Sequence, residues 1–233
     1  MCLEGCESKT TRREFLASTG ATLGGVVLGD KISGQETAKK ALDGPNVSHE
    51  SVNFYNEEAK IEGFLARPKK AGRFRAVIVT HGNAGLPEDV RNTAAQLAQA
   101  GFFALAVNPT SRYPDMSKSP RESLRTNEFG AEMMRDIRAG VKYLKTQSSV
   151  KAGGVGIVGY CGGGIVSLMM AALSREIDAV VALYAAPFVS AEQNSLADSR
   201  PHMISFVEWV KAPVQAHFGT AVFVCSAKRC KSF

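Results

Sequence analysis

The sequence contains no cysteine or histidine spacing typical of a metal site, and no basic stripe interleaved with aromatic residues. It also has no apolar run long enough to cross a membrane. We therefore expect no metal, no cofactor, no nucleic-acid partner and no stable membrane span. The net charge of +6 comes from scattered groups such as Lys69 and Lys70, which we interpret as solvated surface. The chain has only one Trp in 233 residues, yet 45% are hydrophobic, which is enough to form one α/β domain.

Cysteine is scarce and its number is odd. The five residues are Cys2, Cys6, Cys161, Cys225 and Cys230. Loss of the first two with an N-terminal signal would leave three, which is consistent with one free reactive thiol and at most one disulfide.

The N-terminal segment predicts export. Residues 11–16 read Thr-Arg-Arg-Glu-Phe-Leu and resemble the twin-arginine motif, and a weakly apolar run at 17–28 follows. We expect residues 1–45 to be signal and linker, with the twin-arginine translocase as a partner and a periplasmic or other extracytoplasmic location. The alternative is an amphipathic N-terminus of a cytoplasmic protein.

Strand and helix patterns alternate from residue 46 to residue 220, which we interpret as one domain. The runs at 76–80 and 102–107 are continuous and apolar, as in central parallel strands. Such alternation predicts a doubly wound, mostly parallel α/β sheet, with ligands bound at the carboxyl ends of its strands. The remaining predicted strands are 49–55, 61–67, 155–158, 179–183 and 214–218, and the predicted helices are 88–100, 127–147, 165–173 and 204–210.

Cys161 lies where a short strand turns into a helix. Gly159 and Gly163 flank it at −2 and +2, in the G-x-S-x-G pattern of a nucleophile elbow with Cys in place of Ser. Small neighbours are needed because the nucleophile adopts strained backbone angles. The N-terminal N–H groups of the following helix point at the site, where they stabilise developing negative charge.

Two other interpretations of this glycine-rich run are open. Gly154, Gly156 and Gly159 match the dinucleotide fingerprint G-x-G-x-x-G, although here the strand lies inside the match and not before it. Alternatively, Cys161 is a buried structural cysteine on a turn.

Three stretches resemble the dienelactone hydrolase family of α/β-hydrolases, over about residues 50–220. They are Gly-Tyr-Cys-Gly-Gly-Gly at 159–164, His-Gly-Asn-Ala-Gly-Leu at 81–86, and Ala-Pro-Val at 212–214 leading to His-Phe-Gly at 217–219. The resemblance implies hydrolysis of a small-molecule ester or lactone by a Cys nucleophile, with an Asp and a His following in chain order. It implies an oxyanion hole made by the backbone N–H groups of Asn83 and Gly162. Arg112 is a candidate ligand for a substrate carboxylate, or else an exposed loop residue.

The chain departs from the family pattern at three positions. Gly82 stands where many members have Glu, residues 220–224 contain no carboxylate where the family acid is expected, and no His follows His217. His81 and His202 are the remaining candidates for a base.

Residues 221–233 contain two Cys and three basic residues but no acid, an atypical tail that suggests a truncated or frame-shifted end lacking the last strand and helix. We therefore expect an impaired hydrolase. The alternative is a non-catalytic remnant or a binding protein on the same scaffold.

Overall fold

A computed structural model describes residues 41–82, 85–113, 127–185 and 208–218. The strands are β1 (Val47–Asn56), β2 (Ala59–Pro68), β3 (Ala76–Thr80), β4 (Phe103–Val107), β5 (Val155–Tyr160), β6 (Ile177–Leu183) and β7 (Val214–His217). The helices are α1 (Glu88–Gln99), α2 (Asn127–Thr146) and α3 (Gly162–Leu173). Among the described residues, no helix combines the length and the apolarity that a membrane crossing requires.

In this part of the chain the strands form one seven-stranded sheet in the order β1-β2-β4-β3-β5-β6-β7. The pairs β1–β2 and β2–β4 are antiparallel, and the four pairs from β4 to β7 are parallel. The parallel strands therefore share one carboxyl edge, where side chains from different parts of the sequence come together.

Helices cover both faces of the sheet. Ile78 and Leu105 point to the face covered by α2 and α3, whereas Val79 and Ala104 point to the face covered by α1. Because their strands are covered on both faces, all five residues of β3 and all five of β4 are buried. The helices α1 and α2 each contribute an apolar stripe at helical spacing: Val90, Ala94 and Ala98 from α1, and Met133, Ile137, Val141 and Leu144 from α2.

The predicted α/β sheet is confirmed, and each of the seven predicted strands overlaps an observed one. The observed β5 runs two residues beyond its predicted end, up to the residue before Cys161, and α3 begins three residues earlier than predicted. The predicted N-terminal signal, the tail after residue 220 and most of the predicted helix at 204–210 lie outside the described residues.

Candidate active site

Cys161 lies at the junction of β5 and α3, directly after the last residue of the strand. Its φ of 53° and ψ of −119° are unusual for a residue with a side chain, a strain of order 1–3 kcal/mol. The Cys161 N–H donates to the Leu183 carbonyl (3.0 Å), and the Cys161 carbonyl accepts from the Ile165 N–H (3.2 Å). The side chain is exposed and forms no disulfide. The strand, turn and helix of a nucleophile elbow are therefore all present, with an accessible thiol at the turn.

Two glycines allow the chain to turn this tightly. A Cβ at Gly163 would lie 2.4 Å from the His81 nitrogen and 2.5 Å from its Cα. A Cβ at Gly159 would lie 2.2 Å from the Ser167 Oγ and 2.5 Å from the Gly163 carbonyl oxygen. Real Cβ atoms do not approach other atoms this closely, so the glycine two residues to either side of Cys161 is required by close packing.

The loop after β3 packs against the first residue of α3. A Cβ at Gly82 would lie 2.9 Å from the Gly162 nitrogen and 3.0 Å from its Cα. The Glu that the family pattern would place at position 82 could therefore not be accommodated on this backbone without a shift. Gly162, the predicted oxyanion donor, is the first residue of α3, where helix N–H groups have no intrahelical acceptor. The second predicted donor, Asn83, lies outside the described residues.

The backbone of His81 packs against Gly163 at this junction, and the residue is buried with 2% of its surface exposed. Burial lowers the pKa of His81 from 6.5 to about 4, against the opposing effects of the Asp89 carboxylate and a hydrogen bond to the Gly85 backbone. The imidazole is therefore neutral at pH 7, the form in which one ring nitrogen can accept a proton. Its role as a base stays a prediction.

The other histidines are placed elsewhere or not described. His49 lies on β1, where its ring bonds to the Leu42 carbonyl (3.1 Å), and His217 ends β7. His202 lies outside the described residues.

An aromatic cluster beside Cys161 was not anticipated from the sequence. The rings of Tyr160 and Tyr184 lie 6.0 Å apart between centroids, and the Tyr160 hydroxyl forms a hydrogen bond with the Thr93 Oγ1 (2.9 Å). Tyr160 directly precedes Cys161, and Tyr184 directly follows β6, the strand beside β5. Because parallel strands end at one edge, an aromatic residue just after 179–183 was the signal that could have identified Tyr184.

Arg112 is engaged in ion pairs. Its Nε donates to the Asp136 Oδ2 (3.0 Å), a second bond joins its Nη2 to the Asp136 Oδ1, and its Nη1 lies 3.8 Å from the Glu132 Oε1. The hydrogen bond that Arg112 donates to the Asp136 carboxylate is the main reason that the pKa of Arg112 is raised. With 17% of its side chain exposed, Arg112 is not a freely exposed loop residue. The carboxylate-binding role stays a prediction.

A surface groove lies at the opposite edge of the sheet. It has a volume of about 360 Å³ near the amino ends of β3 and β4, and its lining includes Lys69, Lys70, Phe74 and Ser149. The groove lacks Cys, His, Asp and Glu in its lining. The side chains suited to nucleophilic chemistry therefore lie at the carboxyl edge, away from this groove.

The structure decides between the alternatives for the glycine-rich run. Cys161 is exposed, so the interpretation as a buried structural cysteine is wrong. Gly154 precedes β5 and Gly156 lies inside it, so these glycines do not form the strand-to-helix turn of a dinucleotide site. Within the described ranges, no group of three or more His, Cys, Asp or Glu residues could hold a metal ion.

Comparison with known proteins places these features in a family. The model of the "Dienelactone hydrolase family" matches residues 61–232. A Bradyrhizobium protein named a "probable 2-oxo-3-(5-oxofuran-2-ylidene)propanoate lactonase" is 32% identical over 168 residues, covering 70% of this chain and 65% of the relative. A Methylorubrum extorquens protein provisionally named a carboxymethylenebutenolidase is 26% identical over 220 residues, covering 92% of this chain and 73% of the relative.

A solved structure shows the same fold. It is that of a Klebsiella pneumoniae protein provisionally named a dienelactone hydrolase, with a TM-score of 0.68 and 22% sequence identity. The match covers 79% of this chain and 78% of the solved one.

Proposed function

We propose that this chain, which belongs to the dienelactone hydrolase family, hydrolyses ester or lactone bonds of small molecules with Cys161 as the nucleophile. The observation that carries the proposal is the strained, exposed Cys161 at the N-terminus of α3. The Bradyrhizobium relative is named a lactonase, which supports a lactone as one substrate class. This chain spans about two thirds of that protein, so the activity is proposed here from the site and not transferred from the name.

The first step is attack of the Cys161 thiolate on the carbonyl carbon of the ester. The carbonyl oxygen becomes an oxyanion, which the Gly162 N–H stabilises from the first turn of α3. We propose the Asn83 N–H as the second donor, because Gly82, the residue before it, packs against Gly162. Collapse of the tetrahedral intermediate expels the alcohol and leaves a thioester on Cys161, which water then hydrolyses.

Arg112 is our candidate for binding a carboxylate group of the substrate. It follows β4 and so lies beyond the carboxyl edge of the sheet. Asp136 and Glu132 already face its guanidinium, so a substrate carboxylate would have to share this group with two acidic residues. We therefore expect Arg112 to contribute to affinity for acidic substrates and to contribute little to the reaction of uncharged esters.

Deacylation is expected to be slow. The segment in which the family acid is expected, residues 220–224, reads Thr-Ala-Val-Phe-Val and contains no carboxylate to orient a base. Water attack on the thioester also requires removal of a proton, so a weak base leaves the acyl-enzyme to accumulate. The expected reaction with a nitrophenyl ester is a burst near one equivalent of enzyme, followed by a slow phase.

Stopped-flow release of nitrophenol, with mass spectrometry of the acylated protein, tests this proposal. Cys161→Ala should abolish both the burst and the acyl adduct. The control is the Cys225→Ala/Cys230→Ala double variant, which should retain both. A burst that persists without Cys161, or wild-type protein that never acquires the adduct, would contradict the proposal. The second result would favour a non-catalytic binding protein on this scaffold.

We also propose export by the twin-arginine translocase to an extracytoplasmic location, from the Arg12-Arg13 motif and the weakly apolar run after it. Replacing both arginines by lysine should keep the protein in the cytoplasm, as measured by fractionation of the producing cells. Export of the double variant at the wild-type level would refute this.

A further inference from the structure

Tyr184 has a strained backbone at the edge of the sheet where Cys161 lies. Its φ of 39° is positive, which is uncommon for a residue with a side chain and costs of order 1–3 kcal/mol. The Tyr184 N–H donates to the His217 carbonyl (2.7 Å), and the preceding residue, Leu183, accepts from the Cys161 N–H (3.0 Å). The backbone on either side of Tyr184 is therefore tied to β7 and to the nucleophile.

The Tyr184 ring is held against Tyr160. The rings are tilted by 53° with centroids 6.0 Å apart, and Tyr160 is itself anchored by its bond to Thr93 on α1. Although Tyr184 is a large aromatic residue, it is 46% exposed. One side of the ring thus packs on the site, and the rest of it is open to solvent or to a substrate.

The Tyr184 hydroxyl is a proton donor at neutral pH. Burial raises the pKa of Tyr184, and negative charges at Cys161, Tyr160 and Asp89 raise it further. Tyr184 directly follows Leu183, whose carbonyl accepts from the Cys161 N–H, so the phenol is carried by a residue next to a backbone contact of Cys161. The phenol keeps its proton at neutral pH and is able to donate it.

We propose that Tyr184 is a catalytic residue that donates its proton to the leaving-group oxygen when the tetrahedral intermediate on Cys161 collapses. This inference rests on the proposed function. Expulsion of an alkoxide needs a proton, and Tyr184 combines a hydroxyl with a strained position fixed beside the nucleophile.

The step balances without any additional reagent. The oxyanion re-forms the carbonyl double bond, and the bond from carbon to the leaving oxygen breaks with its electron pair going to that oxygen. The oxygen takes the Tyr184 proton, so the products are the alcohol, the Cys161 thioester and a tyrosine phenolate. Because Tyr184 is 46% exposed, solvent water can return a proton to the phenolate.

Removal of the hydroxyl should affect only esters with poor leaving groups. We would compare wild type and Tyr184→Phe on a nitrophenyl ester, whose leaving group needs no proton, and on the ethyl ester of the same acid. Hydroxylamine traps the thioester as a hydroxamate, so that slow deacylation does not limit the measurement. We expect kcat/KM for hydroxamate formation to fall about 100-fold with the ethyl ester and less than about twofold with the nitrophenyl ester.

Tyr55→Phe is the matched control, since it removes a hydroxyl from an exposed tyrosine on β1 and should leave both rates unchanged. Iodoacetamide labelling of Cys161 at the wild-type rate in Tyr184→Phe checks that the site has folded. Equal losses on the two esters, or no loss on either, would overturn the role of Tyr184 while leaving Cys161 as the nucleophile. Failure of the proposed function has a different signature: the nitrophenyl burst is absent from wild type or persists in Cys161→Ala.

Discussion

The strand β7 belongs to the same sheet as the junction of β5 and α3, but the junction is closely packed whereas β7 is exposed. At the junction, backbone atoms from the loop after β3 and from α3 lie so close together that no Cβ fits at Gly159 or Gly163. In β7, all four residues are exposed, and β6 is the only strand paired with it among the described residues. β6 lies between the two regions. The carbonyl of its last residue, Leu183, accepts from the Cys161 N–H at the junction, and the N–H of the next residue, Tyr184, donates to the His217 carbonyl of β7.

The difference shows where this fold can hold strained residues. Cys161 and Tyr184 both have positive φ angles, and such angles persist only where surrounding contacts determine the backbone. Close packing around the junction supplies those contacts. On the side towards β7, the contact of Tyr184 within the described part of the chain is a backbone hydrogen bond to the His217 carbonyl. We therefore expect the two regions to respond very differently to small changes of side chain.

The largest effect is expected from Gly163→Ala. The added Cβ would overlap the backbone of His81, which cannot move without displacing β3, and we expect a loss of roughly 3–5 kcal/mol in the free energy of unfolding. Gly156→Ala, in the middle of β5, is the control, because its Cβ would lie at an ordinary 3.5 Å from the Val77 side chain. Urea denaturation followed by circular dichroism measures both. Similar stabilities for the two variants would show that the junction can relax.

A smaller effect, dependent on pH, is expected from His81. Its pKa is about 4 in the folded protein, below the ordinary histidine value of 6.5, so the unfolded chain binds the extra proton between these values. The stability that the neutral imidazole confers is thus complete above pH 6.5 and is lost as the pH falls towards 4. The total is about 3 kcal/mol, of which about 2 kcal/mol is lost by pH 5.

Denaturation of wild type and His81→Asn at pH 7.5 and pH 5 isolates this effect. The remaining titratable groups are the same in both proteins, so their contributions cancel in the comparison. We expect wild type to lose about 2 kcal/mol more than the variant over this interval. Equal losses would mean that His81 is protonated in the folded protein or that its environment opens before the global transition.

The smallest effect is expected at β7. Val79→Ala removes two fully buried methyl groups from β3 and should cost about 2 kcal/mol. Val214→Ala changes a side chain that is 40% exposed and should cost less than about 0.5 kcal/mol. Thermal unfolding of the two variants gives the comparison directly. A cost at Val214 as large as that at Val79 would show that other parts of the chain cover β7, contrary to the exposure of its four residues.

The central strands and the tight turn at Cys161 were predictable because local patterns encode them. A continuous apolar, β-branched run such as 76–80 is stable only when covered on both faces, and it lies in the middle of the sheet. Glycines two residues before and after Cys161 indicate a tight turn whatever the rest of the fold. The exposure of Cys161 was harder to predict from local patterns, since it depends on which loops and helices surround the turn.

The partners of Arg112 and the cluster around Tyr184 could not be predicted in this way. Asp136 is 24 residues from Arg112, and Thr93 is 67 residues from Tyr160. No periodicity links such positions, because the pairs form only when α2 packs on one face of the sheet and α1 on the other. The number of residues between two such partners depends on the lengths of the elements and loops that connect them, so it does not indicate that the two residues are in contact.

The sequence by itself determined the alternation of strands and helices and the tight turn at Cys161, because hydrophobic period and glycine placement act over a few residues. Only the tertiary structure decided that His81 is buried, that Arg112 is held by Asp136, and that Tyr184 lies beside Cys161. Each of these depends on burial or on contact between distant segments. Desolvation and ion pairing act through space, so they are fixed only when the sheet has brought the carboxyl ends of its strands together.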